Sequence, residues 1–197
     1  MAYEELKSSG ITNTTPENIM FGAGTIHKGL KLEGSKWNFE DSLIGATQGG
    51  SKLSIVPEVT NIEADGALVK VKGLTKKIGE TATMEINLLE LTPDILKDVT
   101  IGNVASSEEF TGYYEITSKA NIEANDYVEN IAFVGKKLDG TPIIVILPNA
   151  LCTTGLELEG KNKENGVIKA TFECYADLTG NHETLPWKIL YPTPAAG

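Results

Sequence analysis

Residues 166–178 read GVIKATFECYADL. Ile168, Ala170, Phe172, Cys174, Ala176 and Leu178 fall on one phase of a two-residue period. Lys169, Thr171, Glu173, Tyr175 and Asp177 fall on the other. Successive side chains of a strand point to opposite faces, so this pattern predicts a long half-buried strand rather than a helix. One face belongs to a core, and the other to water or a partner.

The same period recurs along the chain. In TATMEINLLE, Ala82, Met84, Ile86 and Leu88 alternate with Thr83, Glu85 and Asn87. PIIVILPNA, residues 142–150, is apolar on both phases and predicts a strand buried on both sides; its β-branched residues and two prolines argue against a helix. Asp65-Gly66, Asp139-Gly140 and Asn165-Gly166 are dipeptides suited to two-residue hairpin turns, because glycine takes positive φ at little cost. They predict hairpins between TNIEA and ALVKVKG, between IAFVGKKL and TPIIVIL, and between LELEGKNKE and VIKATFECY.

One helix is signalled. Thr92 is the N-cap, Pro93 the first helical residue and Asp94 an acid in the first turn. Ile95, Leu96 and Val99 then form an apolar stripe, and Gly102 marks the stop. At about 92–100 this helix is too short to persist without docking on a sheet. The expected fold is mainly β: an antiparallel β-sandwich or partial barrel with one short α-helix, in a single domain over 1–197. Residues 1–20 are polar and turn-rich, and about 186–197 carry three prolines; both are expected as extended terminal arms. GLKLEG at 29–34 echoes GLELEG at 155–160, too briefly to define a repeat.

GATQGGSK, residues 45–52, comes close to a phosphate-binding loop, but Ser51 and Lys52 stand in reversed order. Such a loop opens a helix, whose N-terminus faces the phosphates. Here SKLSIVPEV follows, with Leu53 and Ile55 alternating against Lys52 and Ser54 and Pro57 beyond. The stretch therefore reads as a flexible glycine-rich entry to a strand.

Composition narrows the chemistry. The chain has 17 basic residues, all Lys, against 27 acidic ones, for a net charge of −10. An acidic chain without Arg repels nucleic acid. Two cysteines, Cys152 and Cys174, form no C-x-x-C, and MAYEELKSSG carries no apolar signal core. Reduced thiols and cytosolic folding are expected. His182-Glu183 lacks the second histidine of a zinc helix, and Pro186 would break that helix. No nucleophile elbow appears. The reading is non-enzymatic, with no catalytic, cofactor or metal residues and no membrane span.

Residues 43–73, LIGATQGGSKLSIVPEVTNIEADGALVKVKG, resemble a segment of siphophage major tail proteins, the tail tube proteins. The matching positions are Thr47, Gly49 and Gly50, then Asp65-Gly66, then Lys70 to Gly73. ATMEINLLELTPDIL is similar to the strand-then-helix step of that family, and GVIKATFECYAD followed by LPWKILYP to its C-terminal end. The resemblance implies a structural subunit of a virion, assembled in the host cytoplasm. It implies hexameric rings stacked into a tube through which DNA passes without specific binding. Its partners would be further copies of itself, the tape measure protein, and tail terminator and tail tip proteins. A long loop or hairpin about 37–64 would contact the neighbouring ring, with Gly45, Thr47, Gly49, Gly50, Asp65 and Gly66 as the assembly residues. The competing reading is a non-catalytic β-sandwich binding module of carbohydrate-binding or capsid-decoration type. It needs an aromatic platform from Trp37, Phe39, Tyr113, Tyr114 or Trp187.

Overall fold

The computed structural model describes residues 9–160 and 162–193. After a single helical turn, α1 (Thr15–Asn18), come β1 (Met20–His27), β2 (Leu32–Glu33), β3 (Lys36–Trp37), β4 (Thr47–Asn61) and β5 (Thr75–Leu88). Helix α2 (Pro93–Thr100) follows, then β6 (Asn103–Ser106), β7 (Tyr114–Thr117), a 3-10 turn at Ala124–Asp126, β8 (Val128–Lys137), β9 (Pro142–Cys152), β10 (Ile168–Cys174) and β11 (Lys188–Leu190).

The main sheet runs β1-β8-β9-β10-β5-β4, with β11 added to β9, and each of its pairings is antiparallel. It curls into a half-barrel with one short helix. The period-2 residues decide which face is concave. Ala82, Met84, Ile86 and Leu88 of β5 and Ile168, Ala170, Phe172 and Cys174 of β10 are all buried in one core, which Ile95 and Val99 of α2 complete. Lateral pairing brings the two sets together, since Phe172 lies opposite Met84 and Ala170 opposite Ile86. β9 is buried on both sides. Leu147, Ala150 and Cys152 join the main core, while Ile144 and Ile146 join Leu30 and Ala132 in a second cluster covered by Trp37 and Phe39.

Helix α2 forms as its sequence predicts. Thr92 Oγ1 accepts the Ile95 N–H at 3.2 Å. The stop differs in detail: Ile101 takes the left-handed conformation, at φ 52°. Gly102 follows with its N–H bonded to Lys97 O at 3.1 Å. A Cβ on Gly102 would lie 2.9 Å from Thr117 O, so the glycine is required for close approach to β7.

Of the three predicted hairpins, the one at Asp139-Gly140 forms. It joins β8 to β9 through residues 138–141, with Gly140 at φ 89° and its N–H on Lys137 O at 2.9 Å. This is a turn with a following bulge rather than a two-residue turn. The Asp65-Gly66 hairpin is corrected. ALVKVKG is not a strand; β4 pairs with β5 from Asn61↔Thr75 to Thr47↔Leu88, and residues 62–74 are the loop between them. β5 wins because it carries four buried apolar residues, whereas Leu68, Val69 and Val71 have no core to enter. The Asn165-Gly166 hairpin is also corrected. β10 pairs β5 on one edge and β9, over Phe172–Cys174, on the other, and residues 156–160 form no strand.

Region 37–64 is largely strand, because β4 occupies 47–61. The expected terminal arms are described in part. Residues 1–8 and 194–197 lie outside the described residues. Of the rest, α1 occupies 15–18 and β1 begins at Met20. The C-terminal segment docks, with Lys188, Ile189 and Leu190 opposite Ile146, Val145 and Ile144 of β9. β10 ends at Cys174, opposite Ala150, and β11 takes the β9 edge beyond it, a wedge that would otherwise stay open.

Candidate assembly surfaces

β4 and β1 are the two edges of the half-barrel. Among the described residues β4 pairs with β5 alone, so its outer row of N–H and C=O groups is open over 15 residues. β1 is partly covered. Lys28 N–H bonds to Ser42 O at 2.7 Å, Ile44 N–H bonds to Ile26 O at 3.0 Å, and His27 bridges Leu43. Its first half, with a register irregularity between Phe21 and Thr25, carries no such cover among the described residues. The two edges approach without pairing. Met20 of β1 and Leu53 of β4 line, with Met84, Phe133 and Val145, a cavity of about 270 Å³. An open strand edge is a template for another strand.

β4 and β5 extend beyond the sheet. β10 pairs only with Thr83–Leu88 of β5, so the hairpin from Val56 outward is a two-stranded arm. Its surface is apolar in an unusual degree: Leu68 is 97% exposed and Val69 77%, with Val59, Ile62, Val71 and Ile78 also exposed. Patches of this kind mark interaction sites.

The six assembly residues named from sequence fall at the two ends of this hairpin. Gly45, Thr47, Gly49 and Gly50 lie at its base, where Thr47 pairs Leu88, and Asp65 and Gly66 lie in the loop at its tip. Most of the basal set lies within β4 itself. Strand β4 starts at Thr47, and the register shift between Thr47 and Ser51 is a bulge with Gly49 at φ 85° and Gly50 at φ 80°. Ala46 N–H bonds to Glu90 Oε1 at 2.8 Å, Leu89 N–H to Ala46 O at 2.9 Å, and Asn87 Nδ2 to Gly50 O at 3.1 Å. These bonds tie the stretch to β5 and Glu90, and positive φ explains why it is glycine.

Buried polar groups brace this frame. Lys28 pairs with the buried Asp98 of α2, tying the helix to the end of β1; burial pushes the Asp98 carboxyl up, against the pull of Lys28. Lys119 holds Asp126 at 2.6 Å and Glu123 at 3.3 Å. Lys137 donates to Glu17 O at 2.9 Å, pairs with Asp139 at 3.0 Å and stands 5.3 Å from the centre of the Tyr191 ring. Tyr191 in turn donates to Asn18 Oδ1 at 2.8 Å, so the two terminal segments are fastened to each other. Asp139 sits in the β8–β9 turn at a pKa of about 2, held down by the Thr141 hydroxyl, the Thr141 N–H and Lys137.

The remaining reactive groups are packed or solvated. Cys152 and Cys174 are buried free thiols, and burial pushes Cys174 up to about 11. His27 is buried between Thr25 Oγ1 and Ser42 Oγ, each at 2.9 Å. His182 lies on an exposed turn against the carbonyls of Asp177 and Leu178. Among the described residues no group of three His, Cys, Asp or Glu is placed to hold a metal ion. No described helix is long and apolar enough to cross a membrane. Of the aromatic residues, Trp37 stacks on Phe39 and Trp187 donates to Glu80 at 2.9 Å. Phe110, Tyr113 and Tyr114 stay exposed around the β6–β7 turn.

Sequence reasoning missed the β4–β5 arm and the β11 wedge. Apolar alternation runs only from Ala82 to Leu88; Lys76 and Glu80 interrupt that phase over the arm, so its sequence signal is weak. The wedge had no local signal.

No protein-family model and no curated protein matches the chain. Among solved structures it is similar to a chain of the virion of a native gene transfer agent (GTA) particle, at a TM-score of 0.38 and 14% identity, covering 81% of this chain and 95% of that one.

Proposed function

We propose that this chain is a non-enzymatic structural subunit of a phage tail tube. It assembles with copies of itself into hexameric rings, and the rings stack into a conduit for DNA ejection. One observation carries the reading: a half-barrel with two open edges, β4 and the first half of β1, that nothing in the described chain closes. Ring closure by β-augmentation would pair each open edge with a neighbour's strand. A closed ring removes the aggregation hazard that an open edge presents to a monomer. The resemblance of residues 43–73 to tail tube proteins supports the same reading. Under it the tape measure protein fills the lumen before ejection, terminator and tip proteins cap the ends, and DNA slides past an acidic chain that does not hold it.

Negative-stain electron microscopy of the purified protein at rising concentration tests this. Rings or tubes of uniform diameter are expected. A population of monomers under every condition would overturn it.

A second reading, a glycan-binding or capsid-decorating module, has one observation in its favour. Phe110, Tyr113 and Tyr114 are exposed around one turn, as a stacking platform requires. Binding on a glycan array by a stable monomer, abolished by Tyr113→Ala, would favour it over the tube.

A further inference from the structure

Three dipeptides that end in glycine carry turn coding, and the fold uses them unequally: Asp65-Gly66, Asp139-Gly140 and Asn165-Gly166. The last forms no hairpin. It lies in the connection from β9 to β10, just ahead of Ile168. Both of its residues are exposed. Neither the Asn165 amide nor the Gly166 N–H enters a hydrogen bond among the described residues.

This exposure has a chemical consequence. The backbone nitrogen of the next residue can attack an asparagine side chain and close a five-membered imide. The attack needs an unscreened amide carbon, a nitrogen whose N–H is not tied up, and a backbone free to swing the two together. Glycine suits the second position, since it has no Cβ to block the approach and the greatest freedom of rotation. Asn165-Gly166 is the sole Asn-Gly in the chain, and it meets all three conditions.

The comparable sites do not. Asp139 Oδ1 accepts the Thr141 N–H at 2.9 Å and the Thr141 hydroxyl at 2.6 Å, and Lys137 pairs with Oδ2 at 3.0 Å. The Gly140 N–H is spent on Lys137 O at 2.9 Å. Asp65 is exposed but offers a carboxylate, whose charge repels a nucleophile and which has no ammonia to release. Asn181 donates to Thr184 Oγ1 at 3.3 Å and accepts the Glu183 N–H at 2.9 Å, and the residue after it is His182.

We propose that Asn165 is a site of spontaneous deamidation, with water as the co-reactant. The Gly166 nitrogen forms a bond to Asn165 Cγ and gives its proton to solvent. The Cγ–Nδ2 bond breaks, and the amide nitrogen leaves as ammonia. Water then opens the imide. Attack at Cγ yields aspartate; attack at the main-chain carbonyl yields isoaspartate, whose backbone runs through the side-chain methylene. Either product adds one negative charge to a chain already at −10. The change falls outside every strand, so the protein ages in charge while its sheet stays intact. The inference stands apart from the tube reading, because it requires only this one chain.

The test incubates the full chain in mildly alkaline heavy-oxygen water, once native and once in urea, with isoelectric focusing and peptide mass spectrometry as readouts. The native protein is expected to yield an acidic form as fast as the unfolded chain. The heavy oxygen should map to residue 165, with isoaspartate among the products. Asp139-Gly140 should form isoaspartate in urea only. Gly166→Ala should slow the acidic form and keep the wild-type melt, since a Cβ there meets nothing nearer than Glu159 O at 3.7 Å. Asn165→Gln should suppress it. An Asn165 amide that survives in the native protein but is lost in urea is protected by the fold, which overturns the proposal. An acidic form that maps elsewhere, or that persists in Asn165→Gln, overturns it too. Product without isoaspartate overturns the imide route.

Discussion

His27 is buried in the wall between β1 and the 38–44 turn, and its hydrogen bonds fix its tautomer. Ser42 Oγ donates to Asn38 O at 2.5 Å, so it accepts from His27 Nδ1–H. Nε2 then accepts from the Thr25 hydroxyl. Burial lowers the His27 pKa below its ordinary 6.5, because the charged ring is poorly solvated there. The sign follows from linkage. The unfolded chain takes up the proton first as pH falls, so stability present above 6.5 is lost as pH drops toward the folded value. Melting temperature measured from pH 7.5 to 5 is expected to decline below about 6.5 in the wild type, with a flatter profile for His27→Gln. An equal decline in both would remove His27 as the cause. His27 was legible in the sequence only as one of two histidines, since its partner Ser42 is set by the 38–44 turn and not by spacing.

At the scale of elements, α2 and the β4–β5 hairpin contrast. The helix was readable because its signals are local: the cap, the proline and the apolar stripe all lie within 92–99. Thr92→Ala is expected to cost about 1 kcal/mol, measured by urea unfolding, through loss of the bond to Ile95 N–H. No change would mean that docking of Ile95 and Val99 alone holds the helix. The hairpins were read less well because strand partners are chosen by competition. Val69 and Val71 alternate with lysines as a strand should, and the pattern is genuine, yet Ala82, Met84, Ile86 and Leu88 offer β4 a partner that also fills the core. For β10, β5 takes one edge and β9 the end of the other, and LELEG forms no strand. The glycines of 45–50 were correctly tied to a strand entry, but their bulge depends on Glu90 and Asn87, more than 35 residues along the chain.

For the whole molecule, the question is what a half-barrel with an apolar arm is stable enough to do alone. Leu68→Asp with Val69→Asp removes nothing from the core, so the monomer melt is expected to stay within about 0.5 kcal/mol of wild type. The same variant should abolish polymer seen by sedimentation, and a loss of the monomer fold instead would show that the tip packs in cis. Magnitudes favour assembly in rings over pairs. Burying Leu68, Val69 and Val71 contributes on the order of 5 kcal/mol, while association costs about 4–15 kcal/mol. One arm on one neighbour is therefore weak, and several arms acting from a ring add up. The sequence by itself determined the β class, the faces of β5, β9 and β10, the single helix and its cap, and the absence of arginine, because each depends on residues a few positions apart. Only the tertiary structure decided which strand pairs with which, that β11 returns to the edge of β9, and that 67–73 lies in the loop at the hairpin tip. Each strand has two edges, and which neighbours take them is settled by how much apolar surface the whole sheet buries.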